Sequence, residues 1–148
     1  MRTYRHNGLT IKLSDMHATP TGDMNGRRRV WALTRTYHLT VTADGLTETM
    51  IIPFGFRTDF ATMPFVAQML LGGRDDPGVA EAALVHDYCC VKNLPREYCN
   101  TKMWYLMLAM GVSRWKATAI YVALQIAGYK SPVSKLATRI KTWISLET

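Results

Sequence analysis

The dipeptide His86-Asp87 is the part of this chain best equipped for chemistry. It lies in Ala80-Glu81-Ala82-Ala83-Leu84-Val85-His86-Asp87-Tyr88-Cys89-Cys90, a run of helical character with almost no other polar side chain. Apolar residues fall on every side of such a helix, which is the pattern of an element buried all round. An unpaired polar group in that setting costs roughly 2 to 7 kcal/mol, so the pair must have partners. A histidine placed this way has three roles open to it. It can be a general base oriented by a carboxylate, it can share a divalent metal with one, or it can close a buried hydrogen bond that only holds the fold. Neighbouring helical side chains point about 100° apart, so His86 and Asp87 do not easily face one ligand together. One is expected to meet Asp59 or a substrate while the other holds a backbone group or hydroxyl.

Asp59 belongs to a second polar segment, Ile52-Pro53-Phe54-Gly55-Phe56-Arg57-Thr58-Asp59-Phe60-Ala61-Thr62-Met63-Pro64. This segment leaves a strand, passes a glycine and enters a turn before a short apolar helix, and such junctions are where sites are commonly built. The same spacing suits Asp59 or Thr62 as the cap of a helix that Pro64 begins. Together the two segments give Asp59, His86 and Asp87 as candidate catalytic residues, with Arg57 and Tyr88 as candidate substrate contacts. Familiar hydrolase patterns do not fit. The His-Asp phosphohydrolases need a later aspartate for their metal, and none follows Asp87. Secreted phospholipases need a calcium loop and a dense disulfide framework, against three cysteines here. There is no Gly-x-Ser-x-Gly elbow. No metal site is assigned, and the residues identify no cofactor.

The elements that must position these residues divide at about residue 60. Val30 to Thr42 is rich in β-branched and aromatic residues, with Leu33, Arg35, Tyr37, Leu39 and Val41 on one parity and threonines and His38 on the other. That alternation predicts one half-buried strand. Asp44-Gly45 is a hairpin turn signal, and Thr47 to Pro53 returns as the partner strand. Gly22 to Gly26 reads as a looser turn, which makes Leu9 to Leu13 another strand. Beyond Phe60 the pattern is helical. Asp76-Pro77 opens a helix to about Val91, Pro95 opens a second that ends at Gly111, Ser113 caps a third that ends at Gly128, and Ser131-Pro132 starts a fourth. The expected fold is α+β, a small N-terminal antiparallel sheet of hairpins packed on a C-terminal bundle of about four helices. The 148 residues are expected to form one domain, strand-rich over 1–59 and helical over 60–148.

Composition excludes disorder, with 48% hydrophobic and 20% charged residues. No stretch reaches the ~20 apolar residues of a bilayer span, and the first residues lack a secretory pattern. A cytosolic protein with reduced, mostly buried Cys89, Cys90 and Cys99 is expected. The net charge of +7 favours acidic partners in general. Nucleic acid is among them, but no recognition motif accompanies the charge, which reads as a solvated basic face. The basic amphipathic fourth helix, with Val133, Leu136, Ile140 and Trp143 or Ile144 on one face, reads as docking on its own core.

Three ordered motifs resemble the small phage and prophage proteins of domain-of-unknown-function family 1353. They are the Pro53 to Pro64 strand-turn segment, the helix ending in Ala82-Ala83-Leu84-Val85-His86-Asp87-Tyr88, and Met107-Leu108-Ala109-Met110-Gly111-Val112-Ser113-Arg114-Trp115 with Tyr121 after it. The similarity covers roughly Thr47 to Gly128. It implies a bacteriophage origin and expression in the cytoplasm of a bacterial host, with virion membership as the other location, and it carries no established activity. Members commonly have an acidic residue on the helix after the His-Asp motif, where this chain has Asn100. An amide can orient a histidine but cannot match a carboxylate in charge stabilisation. Two functional expectations follow. One is a small hydrolase-like phage protein in which Asp59, His86 and Asp87 converge. The other is a non-catalytic phage protein, a virion component or an accessory factor that binds and inhibits a host or defence protein.

Overall fold

The computed structural model describes residues 1–26, 28–58 and 77–129. The chain opens with strands β1 (Arg2–His6) and β2 (Leu9–Leu13), joined by Asn7-Gly8. Strands β3 (Ala18–Asn25), β4 (Arg28–Leu33), β5 (Tyr37–Ala43), β6 (Leu46–Ile52) and the two-residue β7 (Arg57–Thr58) follow. Three helices complete the described chain: α1 (Pro77–Val91), α2 (Arg96–Ala109) and α3 (Arg114–Tyr129). The α+β class is as expected. The fourth helix, expected from Ser131, lies outside the described residues, as do Asp76 and the Asp59 junction.

The strands form two antiparallel sheets rather than one. The first has the order β1-β2-β5-β6 and the second β3-β4-β7. The expected single strand from Val30 to Thr42 is therefore corrected. It breaks at Thr34, Arg35 and Thr36, and its halves β4 and β5 join different sheets. Arg35 supplies the physical reason, because it stands on the inward parity and an unbroken strand would bury its charge among Leu33, Tyr37, Leu39 and Val41. At the break Arg35 is exposed while those four residues are buried. The expected turn at Gly22 to Gly26 is also moved. Gly22 sits within β3, in a register irregularity between Pro20 and Met24, and β3 returns on β4 where Asn25 faces Arg28. Pro20 is tolerated because β3 is an edge strand.

The Asp44-Gly45 hairpin is present as expected, with φ of 50° and 77° and Ala43 facing Leu46. Asn7-Gly8 has the same geometry, at 46° and 76°. Positive φ at both central residues suits the right-handed twist of the flanking strands.

Helix α1 is buried on most of its circumference: Val79, Glu81, Ala82, Ala83, Leu84, Val85, His86 and Cys89 are all inside. It ends where Asn93 takes a left-handed φ of 57°. There the Leu94 N–H donates to the Cys89 carbonyl and the Asn93 N–H to that of Cys90, which satisfies carbonyls left over at the helix end. Helix α2 stops the same way, with Gly111 at φ 89°, the Val112 N–H donating to Met107 and the Gly111 N–H to Leu108. One apolar cluster joins Ile11, Leu13, Leu39 and Ile52 of the first sheet to Leu84 and Val85 of α1, Met103 and Leu106 of α2, and Ile120 and Leu124 of α3.

Two charged contacts fasten the helices to the first sheet. Glu81 of α1 accepts two bonds from the Arg2 guanidinium of β1, at 2.7 and 2.8 Å, and a third from the Tyr37 hydroxyl at 3.0 Å. On α2, Lys102 is 1% exposed and donates to Glu48 of β6 at 2.5 Å and to the Tyr98 hydroxyl at 2.6 Å. Neither long-range partner was expected from the sequence.

A histidine relay beside an open cleft

His86 and Asp87 diverge from the same turn of α1, as their helical offset requires. Asp87 faces the second sheet, where its Oδ2 accepts the Thr58 hydroxyl of β7. Strand β7 reaches that position because Pro53-Phe54-Gly55-Phe56 turns the chain after β6. Gly55 takes a φ of 83°, and Leu33 of β4 exchanges backbone bonds with Gly55 and Phe56. Thr58 then lies opposite Trp31, and Arg57 opposite Ala32.

His86 faces the helices instead. Its Nε2 lies 2.7 Å from Oδ1 of Asn100 on α2, and its Nδ1 lies 3.6 Å from Sγ of Cys90, one turn further along α1. Asn100 is itself held, donating from Nδ2 to Gln125 Oε1 of α3 at 2.8 Å, and Gln125 donates to the Tyr121 hydroxyl at 3.1 Å. The Asn100 oxygen can only accept, so Nε2 carries a proton, and whenever the ring is neutral His86 presents a bare Nδ1 to Cys90. The residue expected to be acidic from the family resemblance is thus the one that touches the histidine, and it supplies an acceptor without a charge.

The electrostatics follow from these contacts. Burial lowers the pKa of His86, but Cys90, Asn100 and the nearby Asp87 outweigh it and raise the imidazole above its ordinary range. The neighbouring Cys99 thiol first, then the hydrogen bond and charge of His86 and the charge of Arg96, hold the Cys90 thiol well below the ordinary thiol range against the opposing effect of burial. The carbonyl end of α1 acts the other way, since it disfavours negative charge.

Cys90 is exposed, whereas Cys89 and Cys99 are buried, and all three are free thiols. It opens into a cleft of about 360 Å³ between α1 and the second sheet, lined also by Asn25, Val30, Phe56, Arg57, Thr58 and Asp87. Arg57 is exposed at this cleft and pairs with Asp23 of β3. Tyr88 is half-buried, packs edge-on against Phe56 with centroids 5.4 Å apart, and carries Lys92 over its ring. Of the site residues expected from the sequence, the structure gathers Arg57 and Asp87 at the cleft and sets His86 behind Cys90. Asp59 lies outside the described residues. Asn100 and Cys90 complete the set. The spacing His-x-x-x-Cys on one helix is the signal that could have found the thiol. Among the described residues no group of three or more His, Cys, Asp or Glu is arranged to hold a metal.

A buried helix whose histidine is held by a neighbouring helix behind a cleft-lining cysteine, with two antiparallel sheets before it in the chain, defines an α+β protein. The chain belongs to the family described as "Protein of unknown function (DUF1353)", whose model matches residues 31–124 and so includes every cleft and relay residue named above except Asn25, Val30, Asp23 and Gln125. An uncharacterized protein of Sinorhizobium fredii, y4jT, is 33% identical over 78 residues, which are 52% of this chain and 23% of that relative. The chain thus spans under a quarter of the length of this curated relative. No solved structure matches it. Among the described residues no helix is long and apolar enough to cross a membrane.

Proposed function

We propose that this is a small hydrolase-like protein encoded by a bacteriophage or prophage and acting in the cytoplasm of the bacterial host, with His86 as its proton-transfer group. The observation that carries the reading is the contact of His86 with Asn100. Asn100 holds Nε2 at 2.7 Å, and this leaves the opposite nitrogen as a base directed at the cleft wall. A base buried by its own helix and oriented by a second group is the arrangement general base catalysis needs. Asp87, on the cleft, and Asp59, next in sequence after Thr58, are the carboxylates of the proposed site, and Arg57 and Tyr88 its substrate contacts. The phage origin rests on the resemblance of the three ordered motifs.

The test is turnover of a panel of activated carboxylic and phosphate esters by the full chain, comparing His86→Gln with the parent at matched thermal stability. Loss of one positioned acid–base group is expected to lower the rate by about 10²- to 10⁴-fold. A folded His86→Gln protein with unchanged turnover and unchanged phage fitness refutes the reading.

A non-catalytic binding role has one observation in its favour. Trp115, Val122 and Ile126 stand exposed along α3, at 67%, 47% and 54%, and line one apolar surface. Recovery of a stoichiometric host protein on the parent, lost with Trp115→Glu and kept with His86→Gln, would favour that role over the hydrolase.

A further inference from the structure

We propose that Cys90 is the nucleophile of this site, attacking the carbonyl carbon of a carboxylic ester, thioester or amide, with His86 as its base and Asn100 as the group that orients the base. This deepens the preceding reading and rests on His86 as the proton-transfer group. Three independent features converge on it. Sγ of Cys90 is 3.6 Å from Nδ1 of His86, the nitrogen that the Asn100 contact leaves unprotonated. The order of exposure suits a nucleophile, since Cys90 is exposed on the cleft while its base is 5% exposed behind it. Asn100 cannot rotate away without breaking its bond to Gln125 at 2.8 Å, which in turn holds Tyr121. Cysteine, histidine and asparagine in this order form a constellation recognised by geometry on unrelated folds, not by position in a sequence. The depressed Cys90 thiol and raised His86 imidazole are shifts of opposite sense, as expected of a thiolate beside an imidazolium.

The reaction balances with water as the only co-reactant. Nδ1 of His86 takes the Cys90 thiol proton, and the thiolate forms a carbon–sulfur bond at the carbonyl. As the bond to the alcohol, thiol or amine breaks, the His86 proton passes to that leaving group. The S-acyl enzyme remains. Nδ1 then takes a proton from a water molecule whose oxygen bonds to the acyl carbon. The carbon–sulfur bond breaks, the acid departs, and the proton returns to the Cys90–His86 pair. Carbonyl substrates fit this step because a thiolate is a strong nucleophile toward acyl carbon and a competent leaving group from it.

Two measurements on the full chain test the assignment. The first is the rate of alkylation by iodoacetamide across about pH 5 to 9, read by peptide mass mapping, with buried Cys89 and Cys99 as internal references. Cys90 is expected to react first and to keep its rate well below the ordinary thiol midpoint of about 8.5, and His86→Gln is expected to move the midpoint back toward that value. The second is a burst with p-nitrophenyl acetate, of one equivalent of p-nitrophenol, with one acetyl group on the Cys90 peptide and neither in Cys90→Ala. An alkylation midpoint that His86→Gln does not move, whether ordinary or depressed, overturns the proposal, and leaves the two residues as mere neighbours on a helix. Turnover that survives Cys90→Ala but falls with His86→Gln overturns it as well, while the reading of His86 as a base toward water stands. Turnover that survives both substitutions removes both readings. Where no ester is turned over, the alkylation profile alone decides.

Discussion

Replacing Arg2 by alanine tests how much the buried contact between β1 and α1 holds. The Glu81 side chain is 8% exposed, and its two strongest bonds come from Arg2, whose own side chain is 35% exposed. Breaking a fully buried ion pair costs about 3–5 kcal/mol, while exposed pairs contribute about 0–1 kcal/mol. The Arg2 side lets water reach the carboxylate once the guanidinium is gone, and the Tyr37 hydroxyl remains at 3.0 Å. The expected loss is therefore about 2–3 kcal/mol, between the two limits. For a chain of this size that is a fall in Tm of roughly 5–10 °C. Urea unfolding followed by tryptophan fluorescence reads it as a lower midpoint at unchanged m. The double variant Arg2→Met with Glu81→Leu removes both charges together and is expected to be more stable than Arg2→Ala alone, because no uncompensated carboxylate is left inside. A loss under about 0.5 kcal/mol in Arg2→Ala, or a double variant less stable than the single one, would refute the reasoning.

Three further outcomes are expected. Burial first, and then the charge and hydrogen bond of Glu81, raise the pKa of Tyr37 above the ordinary tyrosine range. The folded chain therefore keeps a proton that the unfolded chain releases above about pH 10. This contribution is fully present below that pH and is lost above it by about 1.4 kcal/mol per pH unit. Urea midpoints between about pH 9 and 11 should fall less steeply in Tyr37→Phe than in the parent, and parallel slopes would exclude this account. At Gly45 a side chain meets no atom within 4 Å, so its φ of 77° alone sets the cost of substitution. Gly45→Val should lose about 1–2 kcal/mol on urea unfolding and Gly45→Asn clearly less, and equal losses would mean that something other than the backbone is at work. Finally, Asn100→Asp should raise the His86 midpoint in an NMR titration and Asn100→Ala should lower it, since one adds a charge to the acceptor at Nε2 and the other removes it. An unmoved midpoint in both would show that the contact does not govern the imidazole.

What could be read from the sequence was local. The alternation through Tyr37, Leu39 and Val41, the Asp44-Gly45 turn, Pro77 at the start of α1, Gly111 beyond α2 and Ser113 before α3 each act within a few residues, and each is found in the structure. Asn7-Gly8 carried the same signal as Asp44-Gly45 and closes a hairpin that the expectations above do not contain. The break at Arg35 was masked because β propensity continues across it, and only the charge on the inward parity marks the bend. That the two side chains of His86-Asp87 would part follows from helical geometry, and Asp87 does hold a hydroxyl, that of Thr58. The partner of His86 could not be read this way. Asn100 reaches it only through the packing of α2 on α1, and nothing within a few residues of either side chain records that crossing.

The two carboxylates of α1 have a consequence for the order of assembly. Hairpins β1–β2 and β5–β6 close between neighbours in sequence, and α1, α2 and α3 follow one another directly. Glu81, by contrast, reaches 79 residues back to Arg2 and 44 to Tyr37, and Asp87 reaches 29 back to Thr58. Closing such long loops costs chain entropy before any bond rewards it. Both carboxylates must also shed water at the moment α1 seats between the sheets. Docking of this helix is therefore expected to come last in folding, with Glu81 and Asp87 unengaged at the transition state. In a chevron, weakening either would speed unfolding and leave the folding limb nearly in place. The residues that bind the site to its scaffold would then govern how long the native state persists, and hardly how fast it forms.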